Sequence, residues 1–222
     1  MKILSLCCSA GLWDRVFRDA GHSVMPGCEI VAYKRRMYEI YNGISSSDWV
    51  AHNIADVPRL LHGAEFDGII AGIPCQTRSR LRGMARNEKL VDLLPALLAV
   101  LAVVKSKWTL FENVAALDIP NHASVRLNAA NFAFPHQSRL RTFTYSALTP
   151  PAPLFSGNDD DLTSYPCVAG RLYGPKRGAA LQGHPEFWRM PFHSHQIQEA
   201  LADGVHRGTA EAWLPVCERA SL

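Results

Sequence analysis

Asp67-Gly68-Ile69-Ile70-Ala71 runs into Gly72-Ile73-Pro74-Cys75-Gln76, and the reading of this stretch decides the fold. The first five residues have the apolar character of a buried strand. A Pro-Cys pair at the end of such a strand sets a thiol where an open α/β sheet builds its sites, outside the carboxyl ends of its strands. Further along, Trp108-Thr109-Leu110-Phe111 is a second apolar strand, ending in Glu112-Asn113-Val114. A nucleophile and an acid on neighbouring strand tips are what covalent catalysis needs. Each residue also has a plainer reading. A strand-end cysteine is commonly a small buried hydrophobe, and a glutamate after a strand is commonly a helix N-terminal carboxylate.

Toward the amino terminus, Lys2 to Cys7 predicts a first strand. The small-residue turn Cys8-Ser9-Ala10-Gly11 follows, then a helix from Leu12 to Ala20 closed by Gly21. Val24 to Ile30 predicts a second strand, Ala32 to Tyr41 a helix, Trp49 to Ile54 a short strand, and Val57 to His62 a further helix. After Cys75 come a polar loop to Lys89 and an apolar stretch, Leu90 to Val104, expected to be a buried helix. Strands alternating with helices predict a doubly wound, mostly parallel α/β sheet. Then the pattern changes. Phe132 to Phe134 and Arg141 to Ser146 read as strands joined without a helix, hence an antiparallel edge. Thr149 to Lys176 is rich in Pro, Gly, Asp and Ser and reads as an irregular insertion, and Gln196 to Leu214 returns to helical spacing.

The 222 residues suffice for one well-buried domain, and 48% hydrophobic with 19% charged residues describes an ordinary soluble globular protein. A net charge of +3 permits a nucleic-acid partner without requiring one. The distribution is more telling. Arg78, Arg80, Arg82, Arg86 and Lys89 crowd the loop after Cys75 with Glu88 as its one acid, which suits phosphate contacts or a solvated basic loop. Six cysteines show no metal-ligand spacing, so no metal is expected, and free thiols point to a reducing, cytoplasmic setting. No secretory signal is seen, and the Leu90–Val104 run, interrupted by Asp92 and Pro95, is too short to span a bilayer.

Several motifs then fall in one order: Leu4-Ser5-Leu6-Cys7-Cys8-Ser9-Ala10-Gly11-Leu12, Glu29-Ile30, His52-Asn53-Ile54, Pro74-Cys75-Gln76 with Ser79, Glu112-Asn113-Val114, Gln137-Ser138-Arg139-Leu140-Arg141, Ala180-Leu181-Gln182-Gly183-His184-Pro185 and Leu201-Ala202-Asp203-Gly204-Val205-His206. Together they resemble the cytosine-5 DNA methyltransferase family over nearly the whole chain. The resemblance implies a Rossmann-like methyltransferase sheet with an antiparallel edge and a very small recognition insertion. Residues 1–147 would form the catalytic and cofactor-binding domain, 148–177 the insertion, and 178–222 a segment returning to the catalytic domain. It implies S-adenosylmethionine as cofactor, DNA as partner, and a nucleoid-associated place in the cytoplasm.

The resemblance also assigns roles. Cys75 would add to cytosine carbon 6, breaking the aromaticity and making carbon 5 nucleophilic. Glu112, protonated through a burial-raised pKa, would stabilise the adduct at ring nitrogen 3, and Arg139 and Arg141 would orient and polarise the pyrimidine carbonyl. No side chain is assigned to removing the carbon 5 proton, for which water can serve. Cofactor contacts would come from Cys7, Ser9, Ala10, Gly11 and Leu12 in the turn, Glu29 and Ile30 at the ribose, Asn53 and Ile54 at the adenine, and Pro74, Asp203 and Val205. Gln76, Arg78, Ser79, Arg80 and Arg82 would meet a DNA whose target base is flipped out.

The chain departs from the family pattern around the cofactor. Cys7 stands for an aromatic residue, Ser9 for a glycine, Asn53 for an aspartate, Asp203 for an asparagine and His206 for a proline. Asn53 keeps an acceptor. Asp203 adds a charge near the methionine end of the cofactor, which would either favour the sulfonium or repel the carboxylate. Two alternatives to the methyltransferase therefore stand: a catalytically weak or inactive homologue that binds DNA or a partner, and an enzyme with an altered sulfonium donor or an altered substrate such as single-stranded DNA, RNA or a free nucleotide. The short insertion offers few base contacts, implying a short target or help from a second subunit, either a homodimer or another partner.

Overall fold

The computed structural model describes residues 1–74, 92–132, 137–152, 165–166 and 174–222. Strands β1 (Lys2–Leu6), β2 (Ser23–Cys28), β3 (Glu65–Gly72) and β4 (Lys105–Asn113) run parallel. β5 (Ala123–Asn128) forms the far edge. β6 (Gln137–Ser138) leads into β7 (Leu140–Ser146), which lies antiparallel between β4 and β5. The six-stranded order is β2-β1-β3-β4-β7-β5, and β6 pairs separately with β8 (Tyr165–Pro166). This is a mostly parallel, doubly wound sheet with an antiparallel edge.

Helices α1 (Leu12–Asp19), α2 (Ala32–Asn42), α3 (Val57–Leu60), α4 (Leu94–Val103), α5 (Pro175–Leu181), α6 (Ser194–Asp203) and α7 (Arg207–Ser221) cover the sheet. Alternate residues of each strand face opposite layers. Ile3, Ile70, Trp108, Leu110 and Phe143 meet Trp13 and Phe17 of α1 and Trp213 of α7 on one face. Leu4, Ile69, Ala71 and Phe111 meet Val57, Leu97 and Val100 on the other. Gly68 is required by this packing. The Trp108 indole packs against it, and a Cβ there would stand 2.1 Å from the ring.

Four sequence expectations are corrected. Trp49 to Ile54 is no strand. Val50 and Ala51 donate to Pro26 and Gly27 carbonyls of β2, but the segment enters and leaves through single 3₁₀ turns at Ser46–Asp48 and Ile54–Asp56 and builds no ladder. Phe132 ends a 3₁₀ turn rather than starting a strand (Ala133 and Phe134 lie outside the described residues), and the edge strand is Ala123–Asn128 instead. The apolar helix begins at Leu94, with Pro95 in its first turn, and is buried on one side only. Leu97 and Val100 are covered while Leu98 is 36% exposed. The helical spacing from Gln196 to Leu214 is two helices, broken where Gly204 leaves the helical conformation. No helix among the described residues is long and apolar enough to cross a membrane.

Candidate active site

From β1 the chain passes to β2 on one side of the sheet, while β3 lies on the other, so the strand order switches between β1 and β3. Such a switch opens a crevice at the carboxyl ends of the strands. Here it is a cavity of about 350 Å³, within the range of small-molecule sites. Its walls are the tips of β1 (Cys7, Ser9), β2 (Cys28, Glu29), β3 (Gly72, Ile73, Pro74) and β4 (Glu112, Asn113, Val114). Arg139 and Arg141, at the start of antiparallel β7, close one side, and Ala202 and Asp203 at the end of α6 close another.

Register brings the acid and the arginines together. Glu112 is opposite Phe143 on β7 and Gly72 on β3. Side chains two apart on a strand share a face, so Arg141 lies diagonal to Glu112 on the same side. Arg141 Nε is 2.7 Å from Glu112 Oε1. Its N–H is not aimed along that line, so the contact is an ion pair rather than an aligned hydrogen bond. Burial pushes the Glu112 carboxyl above the usual range, Arg139 and Arg141 hold it back, and Asp203 adds to the rise. Glu112 is 6% exposed. The guanidinium of Arg139 is used differently: Nη2 donates to the carbonyls of Ala202 at 2.7 Å and Gly204 at 2.8 Å. It ties the end of α6 to the junction of β6 and β7 while Arg139 still lines the cavity. Asn113 Nδ2 donates to the Ile73 carbonyl at 3.0 Å, tying the β4 tip to the segment that carries Pro74.

The turn after β1 is tight. Cys7, Ser9 and Gly11 have φ of 50°, 49° and 72°. Only Gly11 adopts this without penalty, and it must be glycine also for space, since a Cβ would meet Asn42 Nδ2 at 2.4 Å. Ser9, standing where the family has glycine, thus retains the glycine conformation at a steric cost. Glu29 holds the turn, accepting from Ser9 N and Val31 N, both at 2.9 Å. Burial pushes its carboxyl up, against these bonds and Lys34. Behind the turn, buried Asp14 accepts from Ser5 Oγ at 2.8 Å and Tyr38 Oη at 2.6 Å. Cys7 N donates to Cys28 Sγ at 3.4 Å, Cys28 together with burial pushes the Cys7 thiol well up, and both residues line the wall.

Of the expected cofactor residues, Cys7, Ser9, Glu29, Ile30, Asn53, Ile54, Pro74 and Asp203 line this cavity. Ala10, Leu12 and Val205 are buried in the apolar layers and Gly11 is buried in the turn, and none of the four is among the cavity's lining residues. Asn53 Oδ1, expected to read an adenine amino group, accepts from Ala55 N at 3.0 Å as a cap. Cys75, Gln76, Arg78, Ser79, Arg80 and Arg82 lie outside the described residues. Sequence reasoning missed Lys34, which lines the cavity and pairs with Asp203 Oδ2 at 2.6 Å and Glu199 Oε1 at 2.9 Å. The signal was present: Lys34 is one turn from Met37 and Tyr38, on the buried face of α2. The residues present suit S-adenosylmethionine. Ser9 Oγ is buried with no partner among the described residues, Ile30 offers a 69% exposed apolar side chain at the wall, and acids stand along it. No group of His, Cys, Asp or Glu fit to hold a metal occurs among the described residues.

A family model described as C-5 cytosine-specific DNA methylase matches residues 1–133, and the chain belongs to that family. No curated protein matches it significantly. Solved structures share its fold across almost the full length. A DNMT2 mutant from Spodoptera frugiperda has 13% identity and a TM-score of 0.65 over 98% of this chain and 99% of that one. The Dnmt2 methyltransferase of S. pombe has 12% identity and 0.66 over 97% of each. A putative DNA modification methyltransferase encoded within an E. coli prophage has 13% and 0.69 over 99% of each.

Proposed function

We propose that this member of the C-5 cytosine-specific DNA methylase family transfers a methyl group from S-adenosylmethionine to carbon 5 of cytosine in DNA. The reaction would run through a covalent adduct of Cys75 with a base flipped out of the duplex. The observation that carries the reading is Glu112: a carboxyl buried beside Arg141 in the wall that also holds Pro74, with burial favouring its acid form. A buried acid is what ring nitrogen 3 needs as the thiolate of Cys75 adds to carbon 6. Arg141 orients the Glu112 carboxyl. Arg139 fixes the turn at 202–204 against the site, and Asn113 fixes the chain just before Pro74. S-adenosylmethionine supplies the electrophilic methyl group; Ser9, Glu29, Ile30 and Asn53 would hold it.

Incubation with tritiated S-adenosylmethionine and a cytosine-rich duplex tests this. Label recovered as 5-methylcytosine from duplex DNA is expected. Its absence from a folded protein that binds S-adenosylmethionine would refute it, and label in RNA, single strands or free nucleotides instead would move the substrate. The positive φ at Cys7 and Ser9 favours a second reading, a homologue that binds DNA without catalysis. That reading requires no cofactor heat in calorimetry while DNA binding persists.

A further inference from the structure

We propose that Lys34 and Asp203 together receive the amino-acid end of the donor, Lys34 taking its α-carboxylate and Asp203 its α-ammonium. This rests on the donor being S-adenosylmethionine, as read above. The Lys34 side chain is 9% exposed, yet its Nζ stands 2.6 Å from Asp203 Oδ2 and 2.9 Å from Glu199 Oε1, and both Lys34 and Asp203 face the cavity. An ammonium has three donors; two are engaged here, leaving one for a ligand. Burying a lysine on the apolar face of α2 is costly, so a role in the cavity gives the residue a reason to be there.

Position supports the assignment. Asp203 sits between Ala202 and Gly204, whose carbonyls Arg139 holds, and its charge acts on both Glu29 and Glu112. It therefore shares one cavity wall with Glu29 on the turn-and-ribose side and with Glu112, the acid that would face the base. A sulfonium that points its methyl group at the base must lay its amino-acid arm along that wall. A cation and an anion side by side complement a zwitterion, whereas a purine or a lone phosphate matches only one of them. The pairing also resolves the substitution at Asp203: the added negative charge arrives with its own cation, so it need not repel the donor carboxylate. Glu199 keeps Lys34 compensated while Asp203 turns to a ligand.

Calorimetry with S-adenosylhomocysteine and its decarboxylated analogue, on the full chain and on Lys34→Met and Asp203→Asn, tests the assignment. Lys34→Met is expected to weaken S-adenosylhomocysteine by about 10-fold or more and the analogue by less than about 2-fold, since only the former carries the carboxylate. Asp203→Asn is expected to weaken both, because both carry the ammonium. Equal losses for the two ligands in Lys34→Met, or no loss in Asp203→Asn, overturn the assignment while leaving the donor reading intact. If the unaltered protein binds neither ligand, the donor reading falls and this one with it. Should Lys34→Met fail to fold by circular dichroism, the near-isosteric Asp203→Asn decides alone: unchanged affinity for both ligands overturns the proposal, and loss for both supports it.

Discussion

Arg141 Nε lies 2.7 Å from Glu112 Oε1, diagonally across the β4–β7 ladder, and this contact favours the ionised form of an acid whose burial favours the protonated one. Burial raises the Glu112 pKa and the guanidinium lowers it. Removing the cation in Arg141→Met therefore raises it further. The methyl-transfer rate should fall by about 10²-fold through loss of the oriented cation. The alkaline limb of the pH–rate profile should move to higher pH, because the acid form persists longer. Steady-state rates from pH 6 to 10 check both; a limb that moves to lower pH contradicts the pairing.

Arg139 holds two backbone carbonyls, of Ala202 and Gly204. Arg139→Met leaves both without this donor and should cost about 3 kcal/mol of stability, as for charge-assisted bonds in buried surroundings. Urea denaturation measures it. Arg139→Lys, able to reach one carbonyl, should lose less. A purely catalytic Arg139 would instead leave the midpoint unchanged.

Much of this arrangement is legible in the sequence, for identifiable reasons. β1, β3 and β4 are continuous apolar runs because parallel strands are covered on both faces, and their tips are therefore easy to place. Pro74 and Glu112 follow from those tips, and Glu29 from the end of β2. The edge strand Ala123–Asn128 does alternate apolar and polar residues, but the run is short and its first four residues are exposed or half-exposed, so little marks it as part of the core. The segment at Trp49–Ile54 runs beside β2 and takes two backbone bonds from it without joining the ladder, a difference that residue types do not record. The roles of Arg139 and Lys34 escaped because their partners are distant in the chain. Lys34 and Asp203 stand 169 positions apart, and the Arg139 partners are carbonyls, which every residue has.

Ser9 keeps φ at 49°, a conformation that glycine adopts without penalty. Ser9→Gly relieves the strain, retains the N–H that Glu29 accepts, and loosens the unfolded chain somewhat. The net effect expected is a gain of about 0.5–1 kcal/mol in chemical denaturation. A loss of stability would show that the buried Ser9 hydroxyl has a partner that holds the turn.

His184 and His206 are buried and kept neutral, with pKa values pushed down to about 3 and about 4 mainly by desolvation. Below the unfolded value near 6.5 the unfolded chain binds the extra protons. Stability is therefore complete above that pH and falls as the pH drops toward the folded values, by about 1.4 kcal/mol per unit for each ring. Melting temperatures at pH 7.5 and 5 should show the fall. In His184→Gln, which leaves the Tyr41 hydroxyl a partner, the slope should be shallower; an unchanged slope would remove His184 from the account.

The central claim is that Cys75 attacks cytosine beside Glu112. A duplex carrying 5-fluorocytosine tests it most directly, because fluorine cannot leave as the carbon 5 proton does and the adduct is held. With S-adenosylmethionine present, mass spectrometry should find a denaturant-stable protein–DNA species whose attachment maps to Cys75 and which is missing in Cys75→Ala. Methylation of ordinary cytosine that survives Cys75→Ala, or an adduct at another residue, would contradict the account.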